Sequence, residues 1–240
     1  MKKKFAAVLL FLALFGSQGI SVTPKEGEAE FTFARLAFNM EVRRVGFYNQ
    51  EHQVPWEHDY PFSEDLFLTM VKEATGVRTD PEAYKIVRLD SQEVFKYPLL
   101  YISEPGFMDL TDKEVTNFRE FFNRGGFAMC DDFRGVDFYY LQNEMKKVFP
   151  NREFSRMDLS HSIFNTYYMI DSLVMPPPYG IEPPEFWGLS DEKGRLIMMA
   201  NWNNDFGEFW EWVDKGQMQF KPAAQSFRFG VNYLFYAMTH

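Results

Sequence analysis

Short apolar segments alternate with amphipathic helical stretches between residues 31 and 150, and this order constrains the fold more than any other feature. The pattern predicts strands over 31–38, 84–89, 97–103 and 127–130, with helices beginning at Ser63, at Thr111 and near Phe138. The segment 97–103 is apolar enough to be buried on both faces, as central parallel strands are. We therefore predict an α/β fold, in which helices flank a doubly wound, mainly parallel sheet.

The predicted helices carry sequence signals at their ends. Ser63 is a good N-cap residue, and Thr111 and Glu114 have the spacing of a capping box. The less regular second half contains five prolines between 175 and 184, a predicted hairpin over 186–200 and a final helix from Pro222. We expect the hairpin and this helix to elaborate a single domain, which would span residues 31–240 and follow a polar leader at 20–30.

The first nineteen residues have the three-part pattern of a secretory signal. Lys2–Lys4 precede an apolar run from Phe5 to Phe15, and small or polar residues follow up to Gly19. This run is shorter than the ~20 residues that span a bilayer. We expect cleavage after Gly19 and export to the periplasm or medium, with no lipid anchor and no transmembrane segment in the mature chain. The alternative is a buried N-terminal strand or helix.

The composition excludes several classes of function. The net charge is −9, and no cluster of basic residues follows the three N-terminal lysines. Because proteins that bind nucleic acid need concentrated Lys and Arg, nucleic acid is not an expected partner. Cys130 is the only cysteine, so no internal disulfide can form, and we expect this thiol to be buried and inert.

The strongest candidates for chemistry are Asp131 and Asp132, which follow the predicted strand 127–130. Ligands of parallel sheets sit outside the carboxyl ends of the strands, so this pair could bind a cation or share a proton. The alternative is structural: one aspartate caps the next helix and the other pairs with Arg134.

Other candidates lie in predicted loops. His161 follows another predicted strand, and Glu57, His58 and Asp59 are consecutive, so two of these three could bind a metal. Structural alternatives are a satisfied histidine and a solvated turn. The polar residues Asn201, Asn203, Asn204 and Asp205 could bind a sugar or a cation, or simply form a turn. Tryptophans 56, 202, 210 and 212 could stack on sugar rings or pack in the core.

Several standard catalytic motifs are missing from the sequence. It contains no Gly-x-Ser-x-Gly elbow, no His-Glu-x-x-His, no Walker loop and no Gly-x-Gly-x-x-Gly. Asp205-Phe-Gly207 has the letters of a kinase metal motif, but no glycine-rich loop or lysine-bearing strand accompanies it.

The chain resembles the domain of unknown function 4159 family, which is bacterial. The matching segments are Phe33–Leu36, Trp56–Pro61, Tyr97–Tyr101, Gly125-Gly126, Asp131-Asp132, Phe149-Pro150, His161–Phe164, Gly194-Arg195, Asn204–Trp210 and Gly230–Asn232. This resemblance implies a class I glutamine amidotransferase-like, flavodoxin-like fold. Amidotransferases carry a nucleophilic cysteine at a strand-to-helix elbow, whereas Cys130 falls one residue early, inside the strand. We therefore expect no glutamine hydrolysis.

These observations favour non-catalytic binding of a small polar or glycan ligand, or of an envelope protein, in a crevice at the strand ends. The candidate binding residues are Trp56, Asp59, Asp131, Asp132, Arg134, His161, Asn204, Asp205 and Trp210. The alternative is a hydrolase for glycans or amides that uses Asp131 or Asp132 with His161. No organic cofactor is expected, but a divalent cation bound by these three residues would also fit.

Overall fold

One seven-stranded sheet organises the chain. The computed structural model describes residues 29–40, 54–79, 84–178, 180 and 182–240, so the predicted signal at 1–19 lies outside the described residues. The strands are β1 (Phe33–Ala37), β2 (Tyr84–Arg88), β3 (Leu99–Ser103), β4 (Phe127–Phe133), β5 (Ser155–Arg156), β6 (Glu185–Ser190) and β7 (Leu196–Trp202). Their order is β2-β1-β3-β4-β7-β6-β5. Neighbours from β2 to β7 pair in parallel, whereas β6 and β5 add antiparallel pairs at one edge.

Five α-helices cover the two faces of the sheet, which confirms the predicted doubly wound α/β architecture. They are α1 (Phe62–Thr75), α2 (Asp112–Asn123), α3 (Asp137–Val148), α4 (Phe206–Glu211) and α5 (Phe220–Thr239). Side chains of α1, α4 and α5 form the core on one face, and those of α2 and α3 form the core on the other. No helix in the described ranges is long and apolar enough to cross a membrane.

The central strands are buried on both faces, as their composition predicts. In β3, Leu99 and Tyr101 enter the core beneath α1 and α5, whereas Leu100 and Ile102 enter the core beneath α2 and α3. This alternation follows from the two-residue period of a strand. Cys130 of β4 is fully buried in the core beneath α2 and α3, which confirms the predicted burial of its thiol.

The structure corrects several predicted boundaries. Ser63 is not an N-cap: α1 begins at Phe62, and the Ser63 hydroxyl is buried beneath the helix. The strand predicted to end at Cys130 continues to Phe133, so Asp131 and Asp132 belong to it. The last helix begins at Phe220 rather than Pro222. The capping box of Thr111 and Glu114 is confirmed, and so is the hairpin of β6 and β7.

The strand order predicts where a binding crevice of this sheet would lie. The chain passes from β1 outward to β2 and then returns to the other side of β1 with β3. At such a switch point, the connections after neighbouring strands leave in opposite directions, and ligands bind between them at the carboxyl edge. In this sheet the switch point lies between the carboxyl ends of β1 and β3, and the end of β4 is the next along the sheet; we call this region the crevice.

Candidate functional site

Backbone strain is concentrated at the carboxyl edge of the sheet. Asp59, Glu104, Asp132 and Asn203 are the non-glycine residues with positive φ among the described residues, at 61°, 47°, 53° and 57°. Glu104 follows β3, Asp132 lies at the irregular end of β4, and Asn203 follows β7. Each such residue costs about 1–2 kcal/mol, and strain of this kind clusters at binding and catalytic sites.

Arg35 holds the loop that leads into α1, residues 54–61, which we name the cover loop. The guanidinium is fully buried, and its Nη1 donates to the carbonyl oxygens of Trp56 at 2.9 Å and His58 at 2.8 Å. Its Nη2 donates to Ser63 Oγ at 3.1 Å, and its Nε pairs with Glu64. These bonds explain why polar residues of the first turn of α1 point inward. They also fix the cover loop over the carboxyl edge.

Asp131 is a fully satisfied buried carboxylate. Its Oδ2 accepts from Tyr101 Oη at 3.0 Å and from the backbone N–H groups of Phe206 at 2.7 Å and Gly207 at 3.1 Å. Its Oδ1 accepts from Asn201 Nδ2 at 3.3 Å. Burial and the neighbouring Asp132 raise its pKa to about 7, although these hydrogen bonds oppose the shift. Asp131 therefore joins the end of β4 to the start of α4.

Asp132, the next residue, faces the cover loop. Its Oδ2 lies 2.5 Å from His58 Nδ1 and 3.4 Å from Ser103 Oγ. The hydrogen bond to Asp132 outweighs burial and raises the pKa of His58 to about 10, with further help from Asp59 and Glu104. The His58 side chain remains 33% exposed, so the pair lies at the mouth of the crevice.

Asp59 carries a buried oxygen with no hydrogen-bond donor. Its side chain is only 3% exposed; Oδ1 lies 3.6 Å from His58 Nδ1, and Oδ2 has no partner. Burial raises the pKa of Asp59 to about 8, even though His58 opposes the shift. Oδ2 lies against Gly207, where an added Cβ would stand 2.5 Å from it. Position 207 therefore requires glycine for this approach.

Four side chains converge on one point of the crevice. His58, Asp59, Asp132 and Asp205 each offer a ligand atom, and these atoms lie within 4.8 Å of one another. Asp205 is fully buried and also caps α4, since its Oδ1 accepts from the N–H of Glu208 at 2.8 Å. One imidazole and three carboxylates are a ligand set that suits Mn²⁺ or Zn²⁺. We call these four residues the edge cluster.

The structure brings together only part of the predicted site. Asp59, Asp132 and Asp205 converge, whereas Asp131 is next to them but is occupied by four donors. His58 is one of three consecutive candidates in its loop, and no spacing signal in the sequence distinguishes it from Glu57. One part of the structural alternative is also corrected: neither aspartate caps α3, which begins after Val136 without a side-chain cap, and Asp131 binds the start of α4 instead.

His161 does not belong to this group. Its Nδ1 accepts from the N–H of Ile163 at 3.2 Å, and its ring lies 6.1 Å from that of Tyr236. Tyr236 packs 5.4 Å from Phe127, the first residue of β4. These contacts place His161 near Phe127, at the amino end of β4. Asp131 lies four residues further along the strand, a distance of about 13 Å. The predicted pairing of His161 with Asp131 or Asp132 is therefore replaced by the contact between His58 and Asp132.

The remaining predicted binding residues have mainly structural contacts. Trp210 is 1% exposed and stacks on Phe67 at 4.4 Å, so its indole belongs to the core. The Trp56 side chain packs against the core of α2 and α3, and its carbonyl is bound by Arg35. Asn204 is buried against Met175, whereas Arg134 is exposed. All five tryptophans lie in described ranges; Trp210 is buried and the other four are half-buried.

Comparison with known proteins identifies a family. A search of curated proteins gives no match. The model of a family described as a domain of unknown function (DUF4159) matches residues 33–238, which include every strand and nearly all of α5. The match agrees with the resemblance carried by the segments between Phe33 and Asn232. The chain therefore belongs to the domain of unknown function 4159 family.

Proposed function

We propose that this domain binds a divalent cation through the edge cluster, and that the cation holds a polar ligand in the crevice. One observation carries the proposal: the Asp59 carboxylate is buried, with an unpartnered oxygen, beside two other carboxylates and an imidazole. A buried charge without a partner costs several kcal/mol, so without metal the raised pKa of Asp59 keeps a proton on this carboxyl group, and a divalent cation would replace that proton.

Electrostatic repulsion within the edge cluster supports a cation. Two like charges about 4 Å apart repel by about 4 kcal/mol at an effective dielectric constant of about 20. Asp59, Asp132 and Asp205 place three carboxylates within 4.8 Å, and His58 is the only basic side chain among the four. Arg35 relieves this repulsion only in part: its charge lowers the pKa of Asp59, but burial outweighs it, and its Nε pairs with Glu64.

The bound ligand would be rich in oxygen. The partly exposed ring of His58 marks the solvent side of the cluster, where coordination positions of the cation would face the crevice. Hydroxyl or carboxylate groups of an envelope glycan or protein suit a cation of this kind. This ligand class rests on the predicted export of the chain.

An amidotransferase-like ancestry is compatible with this proposal, but glutamine hydrolysis is not part of it. The order β2-β1-β3-β4-β7 is that of a flavodoxin-like sheet. Cys130, however, is fully buried within β4, and burial raises the pKa of its thiol well above the ordinary value. A thiol of this kind does not supply the thiolate that nucleophilic catalysis needs.

Metal titration of the chelator-treated chain tests the cation site. We expect Mn²⁺ or Zn²⁺ to bind with micromolar or tighter affinity in calorimetry, and Asp59→Asn to weaken this affinity at least tenfold. Asp214→Asn is the matched control, because Asp214 is an exposed carboxylate shortly after α4. The proposal fails if neither ion binds the unmodified chain, or if both variants bind equally well.

A second candidate is a hydrolase that uses His58 with Asp132. The contact of 2.5 Å between them orients the imidazole, and the raised pKa of His58, about 10, keeps the ring protonated at neutral pH, so it would act as a general acid. Turnover of chromogenic ester, phosphoester and glycoside substrates by the chelator-treated chain would favour this candidate. It requires that His58→Gln abolish the turnover while Asp214→Asn preserves it.

A further inference from the structure

A second group of carboxylates shares Asp59 with the edge cluster. Asp59, Glu208 and Glu211 also offer ligand atoms that lie within 4.8 Å of one another. Glu208 and Glu211 are three residues apart on α4, so their side chains lie on the same face of the helix. Asp59 is therefore a member of two adjacent groups.

The position of α4 is fixed relative to the edge cluster. Asp205 caps the helix through the N–H of Glu208, and Asp131 accepts from the N–H groups of Phe206 and Gly207. The first turn of α4 thus lies between the two groups. The backbone of Glu208 is thereby held next to Asp205.

The two oxygens of Asp59 face different surroundings. Oδ1 lies 3.6 Å from His58 Nδ1, which belongs to the edge cluster. Oδ2 is buried without a hydrogen-bond donor and lies against Gly207, in the first turn of the helix that carries Glu208 and Glu211. A carboxylate whose two oxygens face different surroundings can bridge two cations.

The charges of the two groups are consistent with more than one cation. Together they contain five carboxylates: Asp59, Asp132, Asp205, Glu208 and Glu211. Positive side chains in direct contact with them are His58 and, 3.7 Å from Glu211, Lys215. An imidazole that binds a metal is neutral, so these five carboxylates and Lys215 carry a net charge of −4; one divalent ion would leave a negative charge, whereas two would neutralise it.

We infer that the crevice holds two divalent cations, with Asp59 as the bridging carboxylate, the edge cluster as the first site, and Glu208 and Glu211 as the second. This inference rests on the proposed function. The second site has only oxygen ligands, so it favours Mn²⁺, Mg²⁺ or Ca²⁺, whereas the imidazole of the first site also suits Zn²⁺. Two cations a few ångströms apart clamp an oxyanion between them, which makes phosphate or carboxylate groups the matching ligand class.

Manganese titration of the full chain distinguishes one cation from two. After chelator treatment and dialysis, we expect calorimetry to give two Mn²⁺ per chain, and electron paramagnetic resonance to show the spectrum of an exchange-coupled pair. The double variant Glu208→Gln/Glu211→Gln should bind one Mn²⁺ and give the spectrum of an isolated ion. Asp214→Asn, the matched control, should keep both ions.

Single substitutions keep the test decisive if the double variant does not fold. Glu211→Gln should weaken the second binding event at least tenfold and leave the first within threefold, whereas Asp132→Asn should weaken the first. One Mn²⁺ per chain, lost in Asp132→Asn but not in Glu211→Gln, would overturn the second site and leave the proposed function in place. Two ions in the double variant would also overturn it. No bound Mn²⁺ or Zn²⁺ in the unmodified chain would overturn both proposals.

Discussion

Two clusters of buried charge meet at the cover loop, and they differ in how their charges are balanced. Around Arg35, one guanidinium meets one carboxylate, two carbonyl oxygens and a hydroxyl. In the edge cluster, three carboxylates meet one imidazole, and Asp59 Oδ2 has no donor. The first cluster is complete within the protein and supports structure, whereas the second requires something from outside it.

The largest expected effect comes from removing Arg35, whose positive charge balances Glu64 in the first cluster. Arg35→Met leaves Glu64 buried without its partner, so we expect a loss of about 3–5 kcal/mol in the free energy of unfolding. Urea denaturation of the chelator-treated chain measures this loss. Arg78→Met, at a half-exposed ion pair with Glu30, is the control and should cost about 1 kcal/mol or less. Equal effects of the two variants would remove the distinction between the clusters.

Gly207→Ala tests the approach of α4 to the second cluster. The new methyl group would stand 2.5 Å from Asp59 Oδ2 and 2.9 Å from Tyr101 Oη, so Asp59 must move. We expect a destabilisation of about 1–3 kcal/mol, as in other overpacked sites. Calorimetry should also show weaker Mn²⁺ binding than in Asp214→Asn. Unchanged stability together with unchanged binding would contradict the close approach.

Asp59→Asn sharpens the comparison through its dependence on pH. The raised pKa of Asp59, about 8 against an ordinary 3.8, means that the folded chain holds this proton more tightly than the unfolded chain. Stability without metal should therefore fall as the pH rises from about 4 to about 8. His58 adds stability that is fully present below pH 6.5 and is lost as the pH rises through about 10.

In Asp59→Asn, the fall in the free energy of unfolding between pH 4 and pH 8 should be smaller by on the order of 1 kcal/mol, because one like-charge contact is gone. Thermal unfolding across this pH range, with and without Mn²⁺, provides the measurement. A variant with the same pH profile as the parent would show that Asp59 is not held as a buried acid. Asp214→Asn should leave the profile unchanged, since Asp214 is exposed.

Cys130→Ala should have the smallest effect. The thiol is fully buried in the core of α2 and α3, away from both charge clusters. Its removal leaves a cavity about the size of one methyl group, which costs about 0.5–1.5 kcal/mol. Mn²⁺ affinity and any activity should stay at the level of the parent. A loss of binding or activity in a folded variant would assign Cys130 a role that its burial argues against.

The fold could be predicted from the sequence because its signals are local. The alternation of apolar strands with amphipathic helices and the capping box of Thr111 and Glu114 act over a few residues, and the structure confirms both. The predicted parallel sheet placed the expected binding site at the carboxyl ends of its strands, so Asp132 and Asp205 could be identified as candidates.

The choice of histidine could not be predicted, because it depends on a distant contact. His58 reaches Asp132 because Arg35, in the middle of β1, binds the cover loop from beneath. Nothing local separates His58 from His161. The sequence also does not distinguish Asp131 from Asp132, since their different roles follow from the irregular end of β4 and the positive φ at Asp132.

The pairing of β4 with β7 has a consequence for the order in which the chain folds. β7 pairs with β4, yet α3, β5 and β6 separate them along the chain, and Asp205 follows β7. During synthesis the amino-terminal part emerges first, so His58 and Asp132 exist long before their remaining partners. The edge cluster is completed only when the last third of the chain has docked. Cation uptake would then mark the end of folding, and a chain truncated before β7 would have no complete site to fill.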